Sequence, residues 1–160
     1  MKRIYIETTI PSLATSRASR DVIVAGRQTA TLLFWETECQ KYDAYVSQYV
    51  IDECSLGDSD AAERRLAFLK GIPVIPKSER ISTLALAYQK VLDIPDRSLI
   101  DCFHLAVCVV AEIDYLVSWN CAHLGICTYA RIREYNETQG LFTPLLLTPE
   151  ALMDINGMEE

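Results

Sequence analysis

Short apolar runs alternate with longer stretches of helical periodicity along the whole chain. Arg3–Glu7 reads as a first strand; Pro11 then interrupts a short helix, and a longer helix covers roughly Val22 to Lys41. Ala44–Ser47 is a second strand, followed by a helix near Tyr49–Leu56 that stops at Gly57. Asp60–Leu69 is amphipathic, with Arg64 and Arg65 on its wet side and Leu66 and Leu69 on its dry one. Ile72–Ile75, held between Gly71 and Pro76, is a short third strand, and Glu79–Val91 a helix that ends before Pro95. Ser98–Glu112 is apolar almost all round, which predicts a central, buried helix. Asp114–Ser118 gives a fourth strand, Tyr129–Thr138 a helix ended by Gly140, and Pro144–Leu147 a last strand. Thr148-Pro149-Glu150 has the N-cap, N1 proline and first-turn acid of a closing helix. Strands alternating with helices in this way predict an α/β domain with a parallel sheet.

A length of 160 residues makes one domain, 1–160, with enough chain to bury a core. Half the residues are hydrophobic and 23% are charged, the balance of a globular protein rather than a disordered one. The opening Met-Lys-Arg-Ile-Tyr-Ile-Glu lacks the long apolar core of a signal peptide. The richest apolar run, Leu105 to Ala111, is too short to span a bilayer. The expectation is a soluble, cytoplasmic protein with no membrane association. The six cysteines, at 39, 54, 102, 108, 121 and 127, then read as reduced core residues. Zinc is disfavoured, because no Cys-x-x-Cys pair occurs and Cys102 and Cys108 point to different sides of a helix. A net charge of -7 argues against broad attraction to nucleic acid. It does not exclude a nuclease, since bound divalent ions restore positive charge where a phosphate must sit.

Four polar residues stand out against apolar surroundings: Glu7, Glu53, Asp101 and Asn120. A carboxylate among hydrophobic neighbours is costly unless paired, hydrogen-bonded or bound to a metal. The helix from Ser98 leads straight into the strand at Asp114, so the two run antiparallel. Asp101 to Glu112 is roughly 17 Å of helix and Asp114 to Trp119 roughly 17 Å of strand, which sets Asp101 level with the loop carrying Asn120. Glu7 closes the first strand, and shares that carboxyl-end edge if strands one and four are parallel. Glu53 is less constrained. Each residue also has a plainer explanation. Ser98-x-x-Asp101 fits a capping box, Glu53 beside Asp52 fits a solvated helix face, and Asn120 fits a turn. Glu7 resists such a reading, because a strand of a covered parallel sheet is dry on both faces.

Taken in order, several segments resemble the PIN domains, and within them the VapC-like proteins of bacterial toxin–antitoxin operons. They are Ile-Tyr-Ile-Glu7-Thr8-Thr9, Val50-Ile-Asp-Glu53-Cys-Ser-Leu-Gly57-Asp58 and Asp101-Cys-Phe-His104-Leu-Ala106, then Asp114-Tyr-Leu-Val-Ser-Trp119-Asn120-Cys-Ala-His123-Leu124 and Leu147-Thr-Pro-Glu150. The resemblance implies a three-layer α/β/α fold with a central, mostly parallel sheet of four to five strands. It implies a Mg²⁺- or Mn²⁺-dependent endoribonuclease, with Glu7, Glu53 and Asp101 as catalytic metal ligands. Glu7 stands where the family usually has Asp, and Asn120 where many members have a fourth acid. Asn120 would contribute an amide oxygen to the metal or a hydrogen bond to its water. Toxin status implies an antitoxin partner and commonly a homodimer.

On this reading Thr8 or Thr9 fixes the Glu7 carboxylate from behind. Trp119 is a candidate to stack on a base, His123 a candidate base or structural histidine, and His104 is expected to pack or pair with Asp101. Arg17, Arg20, Arg27, Arg131 and Arg133 are candidates for backbone phosphates or plain solvated charges. The alternative function is a catalytically weakened PIN domain that binds RNA or protein. A Rossmann-type cofactor enzyme is disfavoured, since no Gly-x-Gly-x-x-Gly follows the first strand.

Overall fold

A computed structural model describes residues 1–120 and 126–159. Five strands form a single sheet: β1 (Arg3–Ile6), β2 (Asp43–Ser47), β3 (Val74–Ile75), β4 (Tyr115–Val117) and β5 (Leu145–Leu147). Their order is β3-β2-β1-β4-β5 and every neighbouring pair is parallel. Parallel strands need crossovers, and these are helical. The β1-to-β2 connection carries α1 (Thr9–Thr15) and α2 (Val22–Thr37), and the next carries α3 (Gln48–Cys54) and α4 (Ser59–Phe68). Between β3 and β4 run α5 (Glu79–Leu92) and α6 (Leu99–Val110); α7 (Ile126–Gln139) leads to β5, and α8 (Pro149–Glu159) closes the fold. Helices α1, α2, α4 and α8 pack among themselves, as do α5, α6 and α7, giving a three-layer α/β/α sandwich.

Covered on both faces, β1 is dry after Arg3: Ile4, Tyr5 and Ile6 are fully buried. They meet Val46, Val117 and the apolar body of α6, where Leu105, Ala106 and Val107 are buried. Because winding proceeds outward through β2 and β3 and then resumes on the other side of β1, the sheet has a topological switch between β1 and β4. Crevices at such a switch, beyond the strand carboxyl ends, are where open parallel sheets bind ligands.

Several boundaries differ from the sequence-based expectations, each for a local reason. Pro11 lies inside α1 rather than interrupting it, because it falls in the first turn, where the backbone N–H has no helical partner. The helix expected to reach Lys41 stops at Thr37, and a single 3-10 turn, Cys39–Lys41, follows. Glu38 at that break accepts hydrogen bonds from Lys41 and from Asn156 of α8. Strand β3 is shortened from Ile72–Ile75 because Pro73 has no N–H to give the ladder. Ser98 belongs to a 3-10 turn, Asp96–Ser98, and its side chain caps nothing. The capping-box explanation of Asp101 is therefore not realised. Arg65 is not on the wet side of α4: its guanidinium donates to the Cys54 and Leu56 carbonyls, tying α4 to the end of α3. At the closing helix the expected cap is present, with the Thr148 hydroxyl accepting from Ala151 N.

Cys39, Cys54, Cys102 and Cys108 are free and buried, as expected of core thiols. No helix among the described residues is long and apolar enough to cross a membrane.

Candidate functional site

Glu7 follows β1 directly and is 6% exposed, at the switch between β1 and β4. Its Oε2 accepts from Thr9 N at 3.0 Å, Thr9 Oγ1 at 2.5 Å and Ser118 Oγ at 2.7 Å. Those two hydroxyls also accept from the segment after β4: Thr9 Oγ1 from Trp119 N and Ser118 Oγ from Asn120 N. One carboxylate oxygen thus sews together the ends of the two central strands. Among the described residues Oε1 receives no hydrogen bond.

Glu53 arrives from α3. Thr8 occupies the N-cap position of α1 but caps nothing; its hydroxyl donates to Glu53 Oε1 at 2.6 Å. His104 Nε2 meets the same oxygen at 2.6 Å, and His104 Nδ1 meets Tyr5 Oη at 2.7 Å. Tyr5 Oη in turn lies 2.6 Å from Ser47 Oγ. A carboxylate only accepts, so Nε2 carries the hydrogen toward Glu53. With Nδ1 accepting from Tyr5, and Tyr5 accepting from Ser47, every donor in this buried chain finds an acceptor. Both ring nitrogens of His104 are used here, so the pairing expected with Asp101 goes to Glu53 and Tyr5 instead. Burial pushes the Glu53 carboxyl up, but the hydrogen bond and electrostatic attraction of His104, with the Thr8 hydroxyl, outweigh it and hold it below its ordinary value. Burial, aided by nearby Cys108 and the two glutamates, pushes the Tyr5 phenol well above its ordinary value, keeping it an O–H at neutral pH.

Glu7, Glu53 and His104 each offer a ligand atom, and these lie within 4.8 Å of one another. Asp101, in the first turn of α6, accepts from Asn120 Nδ2 at 3.3 Å. Asp101 and Asn120 line one small cavity of about 20 Å³ with Glu7, His104 and Ser118. It has room for a single water-sized group. Glu7 and Asn120 also face a wider groove of about 450 Å³ shared with Thr8, Thr9, Arg27, Glu53 and Trp119. The structure therefore gathers Glu7, Glu53, Asp101 and Asn120 at one edge, together with Thr8, Thr9 and Trp119. His123 lies outside the described residues.

The donor set fits a hard divalent cation. Glu7 Oε1 and Glu53 Oε2 take no hydrogen bond from the described residues, and Asp101, outside the 4.8 Å group, lines the same small cavity as Glu7; Mg²⁺ and Mn²⁺ favour such oxygen ligands. His104 does not complete the set, because the nitrogen nearest the cluster is spent on Glu53. Sequence reasoning missed Ser118 and Tyr5 as supports and paired His104 with Asp101 rather than with Glu53 and Tyr5. The available signal was a histidine in an all-apolar helix and a hydroxyl at the end of a buried strand, both requiring partners.

The other arginines divide. Arg131 donates to the Val91 and Leu92 carbonyls, which α5 leaves open at its C-terminal end, and Arg133 pairs with Glu137 on its own helix. Arg17 and Arg20 are exposed, whereas Arg27 lies over the Trp119 ring.

A parallel α/β sandwich with carboxylates at its switch point defines the class of domain. No family model matches the chain, and no curated protein does. Solved structures do match its fold. VapBC2 from Rickettsia felis, in a crystal structure bound to a DNA fragment from its promoter, aligns with a TM-score of 0.60 at 13% identity, over 91% of this chain and 98% of that one. VapC20 of Mycobacterium tuberculosis, a sarcin–ricin loop cleaving toxin, aligns with a TM-score of 0.59 at 15% identity, over 76% of this chain and 95% of that one. The chain shares the fold of these two solved proteins.

Proposed function

We propose that this protein is a divalent-metal-dependent endoribonuclease and the toxin of a toxin–antitoxin pair. One observation carries the reading: Glu7 and Glu53 converge within 4.8 Å at the switch point, with Asp101 lining the same cavity as Glu7. The likeness in fold to two VapC proteins supports it.

Glu7, Glu53 and Asp101 would hold Mg²⁺ or Mn²⁺. When bound, the ion supplies positive charge against a scissile phosphate and lowers the pKa of a water. The protein's own part is preorganisation. Thr9 and Ser118 fix one Glu7 oxygen, and Thr8 and His104 fix one Glu53 oxygen, so the remaining oxygens need little rearrangement to act. Asn120 Nδ2 holds Asp101, leaving the amide carbonyl as its remaining acceptor. RNA enters along the groove bounded by α1, α2 and Trp119. An antitoxin covering that groove, and assembly as a homodimer, belong to the same proposal.

The test is cleavage of single-stranded RNA with Mg²⁺ or Mn²⁺ by wild type, Glu7→Gln and Asp101→Asn, alongside Mn²⁺ titration followed by thermal shift. Cleavage and Mn²⁺ stabilisation that both disappear in the variants support the enzyme. Equal cutting by all three places the activity elsewhere or in a contaminant. No cleavage and no shift in wild type, with RNA still bound, favours a binding module.

A further inference from the structure

We propose that Arg27, seated on Trp119, is a phosphate clamp that holds the RNA backbone beside the carboxylate cluster. The proposal rests on the ribonuclease reading and gives the groove its substrate contact. Two opposed demands meet in this groove. It is lined by Glu7 and Glu53 in a protein of net charge -7, so an entering polyanion is repelled unless a cation stands at the mouth. Among the described residues lining the groove, Arg27 is the only Lys or Arg.

The Arg27 guanidinium makes no ion pair or hydrogen bond with any described residue, although two carboxylates share its groove. Its contact is with an aromatic face: the guanidinium carbon lies 5.4 Å from the centre of the Trp119 ring. A cation–π contact of this kind holds the guanidinium near the ring while leaving its N–H donors unspent, which suits capture of a phosphate. The platform is itself held firmly. Trp119 Nε1 donates to Thr31 Oγ1 at 2.7 Å, one turn beyond Arg27 on α2, and Trp119 N donates to Thr9 Oγ1. That Thr9 hydroxyl also holds Glu7, so the cation and the principal carboxylate are positioned through one shared residue. Gln28 secures the start of the wall: its amide donates to Ser16 Oγ and Arg17 O and accepts from Ser19 N, pinning the loop before α2. With Arg27 covering its ring, Trp119 acts as a support for the cation rather than as a stacking surface for a base.

The experiment measures binding of a labelled single-stranded RNA by the full chain carrying Glu7→Gln, with and without Arg27→Gln, across a salt series. Losing one phosphate contact reduces the slope of log K against log salt by about 0.7 for single strands. We expect that reduction in Arg27→Gln and recovery of the slope in Arg27→Lys, with affinity still below that of Arg27. In the cleaving protein, Arg27→Gln should raise KM about tenfold while kcat changes less than about threefold. An unchanged salt slope, or a loss confined to kcat, overturns the clamp. So does RNA binding that is absent from the start. Failure of the ribonuclease reading is separately visible as binding without cleavage, in which case the salt slope alone decides for or against Arg27.

Discussion

The inner and outer sides of the candidate site are built on different physics. On the inner side Ser47, Tyr5, His104, Glu53 and Thr8 form a chain of hydrogen bonds, each between 2.6 and 2.7 Å, most of it buried. On the outer side, the Arg27 guanidinium rests on Trp119, open to solvent, with no described hydrogen-bond partner. Buried polar networks are strong and unforgiving, since any group left unsatisfied costs its full desolvation. A solvated cation costs little to hold and is screened by salt. The inner side therefore sets where the carboxylates stand, while the outer side is free to respond to what enters. Damage to the first should appear in stability and catalysis together, and damage to the second in binding and its salt dependence alone.

The sharpest break is Glu7→Gln. The glutamine oxygen can still accept from Thr9 and Ser118, so the stitch between the strand ends survives, but the other position now carries an NH₂ where an anionic oxygen stood. Activity should fall more than ~100-fold, beyond the range of changes behind the ligands, and Mn²⁺ should no longer raise the melting temperature. A folded Glu7→Gln protein that retains Mn²⁺ stabilisation would remove Glu7 from the metal site.

The thiols test how closed the inner side is. Burial pushes Cys54 up to about 11; Arg65 opposes the shift, and the charges of Glu53 and Glu7 add to it. Cys102 is likewise pushed up to about 11 by burial, with the Asp101 charge adding to the effect. Against the ordinary thiol value of 9.0, such groups hold roughly 100-fold less thiolate at neutral pH. Peptide mapping after iodoacetamide treatment of the native protein should show both sites slowed by at least that factor. Rapid labelling of either would mean that the inner side opens locally.

His104→Ala comes next in size. It leaves the Tyr5 hydroxyl without its acceptor and Glu53 without its main partner, at an expected cost of about 2–3 kcal/mol. For a chain of this size that is a fall in Tm of roughly 4–12 °C. Activity should drop ~10–100-fold. Tyr5→Phe removes one link and should cost about 1 kcal/mol. If His104→Ala lowers activity without lowering Tm, the relay is not a structural support.

Much of this was legible in the chain, for identifiable reasons. The dry run Ile4-Tyr5-Ile6 ending in Glu7 marks a covered strand, and the apolar α6 leading directly into β4 sets the level of Asp101; the parallel pairing of β1 and β4 entered as a condition, and it holds. What was not legible is pairing across long separations. His104 and Tyr5 are 99 residues apart, and His104 and Glu53 are 51 apart. Sequence shows that each needs a partner in a dry environment, but not which one. Local competition was equally hidden: Ser98 looks like a cap, yet the 3-10 turn before α6 denies it the extended backbone that a cap requires.

The subtlest expected effect separates the two sides by pH. The Glu53 carboxyl is held below its ordinary value in the folded protein, so the folded state binds its proton less readily than the unfolded chain. Its contribution to stability is therefore fully present above the unfolded value of roughly 4.3 and is lost as pH falls through the depressed folded value. In chelator, the Tm difference between wild type and Glu53→Gln should stay constant from neutral pH down to that region and then shrink. Arg27→Gln should show no such trend, since arginine stays charged throughout. A Glu53→Gln difference that widens on acidification would reverse the sign and mean that the His104–Glu53 contact does not favour the ionised carboxylate.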